Sequence, residues 1–197
     1  MKTHQIFSAL AAMTLWLAGI NIPASSVMAH EPFSSYVDDT GEIAFPKNFR
    51  ANMVHLGSWF VPEGGASGFH DVYTEKSSIE YYQQHQIFPD GATLVKELRA
   101  ASTDDYTTGK GVSHANHSIK QWFVMIKDSR GRFTDNQLWG EGWGWGWGWA
   151  LFKPDGTKQK TATKNVATNY KTECVACHIP TRENDLIYVE AYPMLKE

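Results

Sequence analysis

The chain has 197 residues, 42% of them hydrophobic and 20% charged, which suits one globular domain with a sizeable core. Its formal net charge of −3 and the lack of any concentrated Lys/Arg stripe remove the electrostatic case for nucleic acid or an acidic membrane as partner. Two cysteines are too few for the disulfide framework of a small exported domain.

The N-terminus reads as a targeting segment. Lys2 supplies a positive start, residues 6–20 are apolar and uncharged, residues 23–26 break the pattern, and Val27-Met28-Ala29 offers compact residues where a signal peptidase reads. Cleavage after Ala29 leaves a mature domain over residues 30–197. The rival is an uncleaved membrane anchor, against which the apolar run is short for a spanning helix. No later segment is apolar enough to span a bilayer.

Residues 30–45 are polar, with a turn at 38–41, and residues 46–49 open a short helix or a turn. Residues 53–61 predict a strand, residues 62–68 with three glycines a loop, and residues 69–73 a second short strand. Residues 77–86 are the best helix candidate. Phe88-Pro89-Asp90-Gly91 is a turn signal, after which residues 93–98 read as a strand. Residues 102–111 are polar and read as a loop, and residues 118–128 as a strand.

A dipeptide repeat follows, running from Trp139-Gly140 through Trp143, Trp145 and Trp147 to Trp149. Every Trp is odd-numbered, so a fully extended chain would put all the indoles on one face and the glycines on the other. Glycine weakens a strand interior unless something approaches that face closely. Asp155-Gly156 signals a hairpin turn, and residues 186–189 read as a last short strand. Short strands with one or two helices make an α+β domain, predominantly antiparallel β-sheet with a few packed helices.

The sharpest signal is Cys174-Val175-Ala176-Cys177-His178. This is the spacing of c-type haem attachment: two thiols add across the vinyl groups on one porphyrin edge, and the next residue turns onto the iron. The expected cofactor is therefore one covalent haem c, with Cys174 and Cys177 as attachment points and His178 as the metal ligand. The alternatives are a redox dithiol or half a zinc site. A zinc site wants two more soft ligands, and there is no second Cys pair. A redox dithiol usually opens a helix near the start of its domain, whereas only nineteen residues follow His178.

Several strings resemble the cytochrome P-460 family, which includes the cytochromes c′-beta. They are Phe69-His70-Asp71-Val72-Tyr73, the run from Phe88 to Leu98, the run from Trp147 to Phe152, and Lys164 to Tyr170 leading into the haem motif. The resemblance implies an antiparallel sheet packed with helices, a five-coordinate haem c and a homodimer. It also implies a role for Lys96. In members that oxidise hydroxylamine, the lysine of the Val-Lys-Glu string is bonded to a haem meso carbon. In a strand, Lys96 shares a face with Leu94 and Leu98 and is costly to bury as an ammonium. In a helix over 93–99 it would point to solvent.

His70 falls where the family places a polar distal residue, and a neutral imidazole there would accept protons. The plainer alternative is a surface or core-satisfied histidine. Oxidising relatives carry a distal carboxylate where the Ile126-Lys127-Asp128-Ser129 string aligns Phe123, and an aromatic distal residue suits gas-binding members. His114 and His117, in a polar stretch, are expected at the surface.

Three functions follow as expectations. One is a periplasmic enzyme oxidising hydroxylamine, with Lys96 and His70 as catalytic residues and a periplasmic electron acceptor as partner. Another is a non-catalytic protein that binds or senses nitric oxide. The third is a simple electron-transfer cytochrome, for which Met194, the sole methionine after the haem motif, is poorly placed.

Overall fold

The computed structural model describes residues 33–142, 145–154, 159–161 and 171–196. The expected signal peptide, the Asp155-Gly156 turn and the Lys164–Tyr170 string lie outside them. Six strands, β1 (Val54–Val61), β2 (Gly68–Thr74), β3 (Thr93–Tyr106), β4 (Gly109–Lys127), β5 (Trp147–Pro154) and β6 (Gln159–Thr161), form one sheet in that order. Each strand pairs antiparallel with its chain neighbour. Helix α1 (Phe49–Asn52) precedes β1, helix α2 (Lys76–His85) joins β2 to β3, and a short helix α3 (Ala176–His178) carries the end of the haem motif. The α+β expectation and its antiparallel sheet therefore hold. Among the described residues, no helix is long and apolar enough to cross a membrane.

Apolar residues line both faces of the central strands. Leu94, Val72, Met125, Trp147 and Trp149 face α2 (Ile79, Tyr82), Phe88 and the C-terminal segment (Val175, Leu186, Ile187, Tyr192, Leu195). On the reverse face Val95, Val124, Ile126, Ala150 and Phe152 pack on an N-terminal layer with Ile43, Phe49 and Met53, and on Leu138 and Trp139. The C-terminal segment lies tight on β1: a Cβ at Gly57 would sit 1.9 Å from the Ala191 carbonyl oxygen.

Three expectations change. Residues 102–106 and 109–111 belong to β3 and β4, which run on past the sheet as a two-stranded ribbon, with Ser102 opposite His114 and Thr103 opposite Ser113. Its residues are polar because the ribbon has no core to face. Ladder bonds and side-chain pairs such as Thr103 Oγ1 to Ser113 Oγ, 2.8 Å, hold it instead. Residues 186–189 are not a strand. Asp185 and Leu186 have φ of 59° and 65°, outside the extended region, and Val189–Ala191 is a 3₁₀ turn. The Trp repeat is not one strand either. Trp139 lies in a 3₁₀ turn (Gln137–Gly142), Trp145 has φ 56° and is exposed, and only Trp147 and Trp149 share a face of β5. The glycine logic does hold at Gly148, where a Cβ would lie 2.6 Å from the Trp139 ring.

β3 is a strand at Lys96, and alternation sends its neighbour Glu97 to the reverse face. Glu97 is fully buried, ion-paired with Arg50, and accepts the Trp122 Nε1–H at 2.8 Å. Glu97→Ala would strand that N–H in the core, while the half-exposed Arg50 turns to water. The expected loss is about 2 kcal/mol, less than for a pair buried at both ends. Urea unfolding of the haem-loaded protein checks this, and an unchanged midpoint would refute it.

Candidate haem site

The haem motif sits on the C-terminal layer. A π-helical turn (Lys171–Val175) runs straight into α3, so Cys174 and Cys177, three apart, come to the same side of a helical turn. Cys174 packs against the core of the α2 face, Cys177 is exposed, and the two form no disulfide with each other. Two cysteines at this spacing with an adjacent imidazole are the donor set that haem c attachment requires. Among the described residues, no group of three His, Cys, Asp or Glu side chains lies close enough to hold a metal ion.

The His178 ring is fixed by three contacts. Its Nδ1 donates to the Leu186 carbonyl at 2.7 Å, which places the proton on Nδ1 and leaves the Nε2 lone pair for a metal. Trp149 meets it edge-on at 4.8 Å, and Tyr188 lies 5.8 Å away on a ring-to-ring basis. The Tyr188 hydroxyl in turn donates to the Cys177 carbonyl. Burial pushes the imidazole pKa down to about 4, so His178 is neutral, the form that ligates. Sequence reading did not find Leu186, because a backbone carbonyl carries no residue signature. Tyr188 and Trp149 were visible only as aromatics.

Facing this layer, the sheet presents its rows in register. Val72, Lys96, Phe123 and Leu151 oppose one another across β2 to β5, and His70, Leu98 and Gln121 form the next row. The Lys96 Nζ lies 4.1 Å from the centre of the Phe123 ring. Burial lowers its pKa to about 8, and the nearby Cys177 and Cys174 thiols act against that shift. The amine is thus desolvated and aimed at the layer that carries the haem motif, and the strand reading of Lys96 is the one realised.

His70 is on the same face. Its Nε2–H donates to the Ala66 carbonyl at 2.7 Å, leaving Nδ1 as the basic nitrogen. Its pKa is lowered, first by burial and further by the charges of Lys96 and Lys120, against the Ala66 bond. It is therefore a neutral base near pH 7. Asp71 and Glu97 take the alternate positions and face the other way, so no carboxylate stands in the rows just described. His114 and His117 are exposed on the outer part of β4, away from this face.

A desolvated amine, a neutral base and aromatic bulk thus oppose a neutral imidazole flanked by two thiols. These residues fit a haem held between the C-terminal layer and the sheet. The family model described as Cytochrome P460 matches residues 46–189, from just before α1 to the 3₁₀ turn after the haem motif. No curated protein matches the chain. With its haem motif and all six strands inside the matched span, the chain belongs to the cytochrome P460 family and is a haem protein.

Proposed function

We propose that the chain is exported to the periplasm, carries one haem c on Cys174 and Cys177 with His178 as axial ligand, and oxidises hydroxylamine on the Lys96 side. The observation that carries the reading is the Lys96 amine: partly buried, and facing the haem layer across from Phe123. An ammonium has little reason to be kept there unless it reacts. When bound, the haem would supply one-electron redox chemistry at its iron. The partners proposed are a periplasmic one-electron acceptor and a second copy of the chain in a homodimer.

Lys96 acts first as a nucleophile. Its neutral amine would hold the haem at a third point, through a C–N bond to a porphyrin meso carbon in place of a C–H bond. The two protons and two electrons given up would pass to hydrogen peroxide as oxidant, giving two waters. His70 acts during turnover. For each electron that leaves hydroxylamine for the acceptor a proton is left behind, and the free Nδ1 of His70 is the base in reach of the same face. Phe123 and Leu151 keep water from that face.

A second reading rests on Phe123. An aromatic ring in the distal row, with no carboxylate in the rows of β2 to β4 beside it, favours a protein that captures nitric oxide without turning it over. Absorption spectra separate the two. A broad, strongly red-shifted ferrous Soret band in the matured protein supports the crosslinked enzyme. An ordinary high-spin ferrous spectrum without hydroxylamine-dependent reduction of an acceptor supports gas binding.

Lys96→Ala is expected to restore an ordinary ferrous haem c spectrum and abolish hydroxylamine oxidation; wild-type turnover in that variant would defeat the mechanism. His70→Ala should slow turnover about a hundredfold with KM little changed, the range typical of a lost general base. Steady-state kinetics with an artificial acceptor read this, and an unaltered kcat removes His70 from the chemistry. Bond formation at Lys96 needs the neutral amine. Its rate with added peroxide should therefore rise about tenfold per pH unit and level below the ordinary lysine value of 10.5, because burial lowers the pKa of the amine. A rate still climbing toward the ordinary lysine value of 10.5 would contradict the burial of the amine.

A further inference from the structure

The carbonyl that receives the His178 Nδ1–H belongs to a strained pair of residues. Asp185 (φ 59°, ψ 35°) and Leu186 (φ 65°) both lie in the left-handed region, which a leucine rarely enters. Such a conformation persists only where its surroundings over-determine it. Here Asp185 is held at every polar atom, and its own N–H donates to the Thr181 carbonyl. One carboxylate oxygen pairs with Lys127 of β4, and both side chains are more than nine-tenths buried. The other accepts the Phe88 N–H at 3.0 Å. The Asp185 carbonyl accepts the Trp147 Nε1–H at 3.0 Å, and the Leu186 N–H bonds the Thr181 carbonyl at 3.0 Å. The Lys127 ammonium also lies 5.0 Å from the Trp147 ring centre.

We propose that Asp185 is a positioning residue for the axial ligand. Clamped to Lys127, Phe88 and Trp147, it forces the turn that aims the Leu186 carbonyl at His178 Nδ1. The clamp ties the haem-bearing layer to β4 and β5, so the sheet itself sets the imidazole's orientation and tautomer. Donation from Nδ1 to a well-placed carbonyl makes the imidazole a stronger electron donor and favours ferric iron. Asp185 therefore helps to hold the iron's reduction potential low, without touching haem or substrate.

The inference rests on His178 ligating a covalent haem, as proposed above, and on neither hydroxylamine nor nitric oxide. Wild-type protein without covalent haem would end that reading. Wild-type protein with haem, and a variant of unaltered potential, would end this one alone. The measurement is a redox titration of haem-loaded Asp185→Ala, followed by absorption, with thermal unfolding in parallel. The expected result is a higher potential, seen as a rise on the order of tenfold in the ferrous-to-ferric ratio at fixed poise, by analogy with the size of the loss in metal affinity when such outer contacts are removed. A wild-type potential with only a lowered unfolding midpoint would make Asp185 a structural residue and overturn the proposal. If Asp185→Ala yields no folded haem protein, Asp185→Asn decides. Asparagine tolerates the left-handed turn and keeps an acceptor for Phe88, but loses the charge facing Lys127. Its potential should shift the same way by less, and no shift overturns the proposal.

Discussion

The first part of β3, residues 93–98, is packed on both of its faces, and this constraint governs the rest of the molecule. A strand in that position has nowhere to send a polar side chain except into one core or the other, and the period of two assigns Lys96 to one and Glu97 to the next. Each therefore meets a specialised environment. Glu97 is satisfied by Arg50 and the Trp122 indole, as a buried carboxylate must be. Lys96 lies in its row between the apolar Val72 and the Phe123 ring, and burial brings its pKa down to about 8. A structural role and a proposed chemical role thus sit side by side in the chain and back to back in the fold.

The same alternation sorts the other polar groups. Asp71 is turned from the C-terminal layer while His70 and Val72 are turned toward it, so this face of the sheet carries an amine and an imidazole, with Phe123 at the position where the family resemblance implies a carboxylate in oxidising members. Burial lowers the pKa values of both: it favours the neutral imidazole of His70 near pH 7, while Lys96, brought down to about 8, keeps its ammonium as the major form there with a neutral minority. This is why the enzyme and gas-binding readings share a site and differ only in what Lys96 and His70 do within it.

On the opposite side, the haem motif is too short to position itself. α3 has three residues, and helices of that length are not stable alone. The imidazole is oriented by what surrounds it: Trp149 from the sheet, Tyr188 and Leu186 from the segment that follows. Trp147, the neighbouring indole of the Gly-Trp run, fills the α2-side core and also donates to the Asp185 carbonyl. The repeat is thereby accounted for in part as packing and in part as a fastening for the turn at Asp185 and Leu186. Trp139, from the same repeat, serves the reverse core by lying over Gly148.

Much of this was legible in the sequence. The spacing of Cys174, Cys177 and His178 is the one that covalent haem attachment demands, and so it is readable as text. The apolar alternation of β1, β2 and the first part of β3, together with the turn at Pro89–Ala92, is local and likewise readable. Three features were not. The ribbon of β3 and β4 lacks an apolar period because it has no core to face, so its residues resemble a loop. The residues after the haem motif look like a strand by composition, and only the contacts of Asp185 with Lys127, Phe88 and Trp147 reveal the left-handed turn. The partners of His178 are a backbone carbonyl and side chains distant in sequence, so no local pattern could encode them. The sequence determined which atoms are available to hold a haem; packing between the sheet and the C-terminal segment alone decided where they point, because orientation depends on contacts among residues that meet only once the chain has folded.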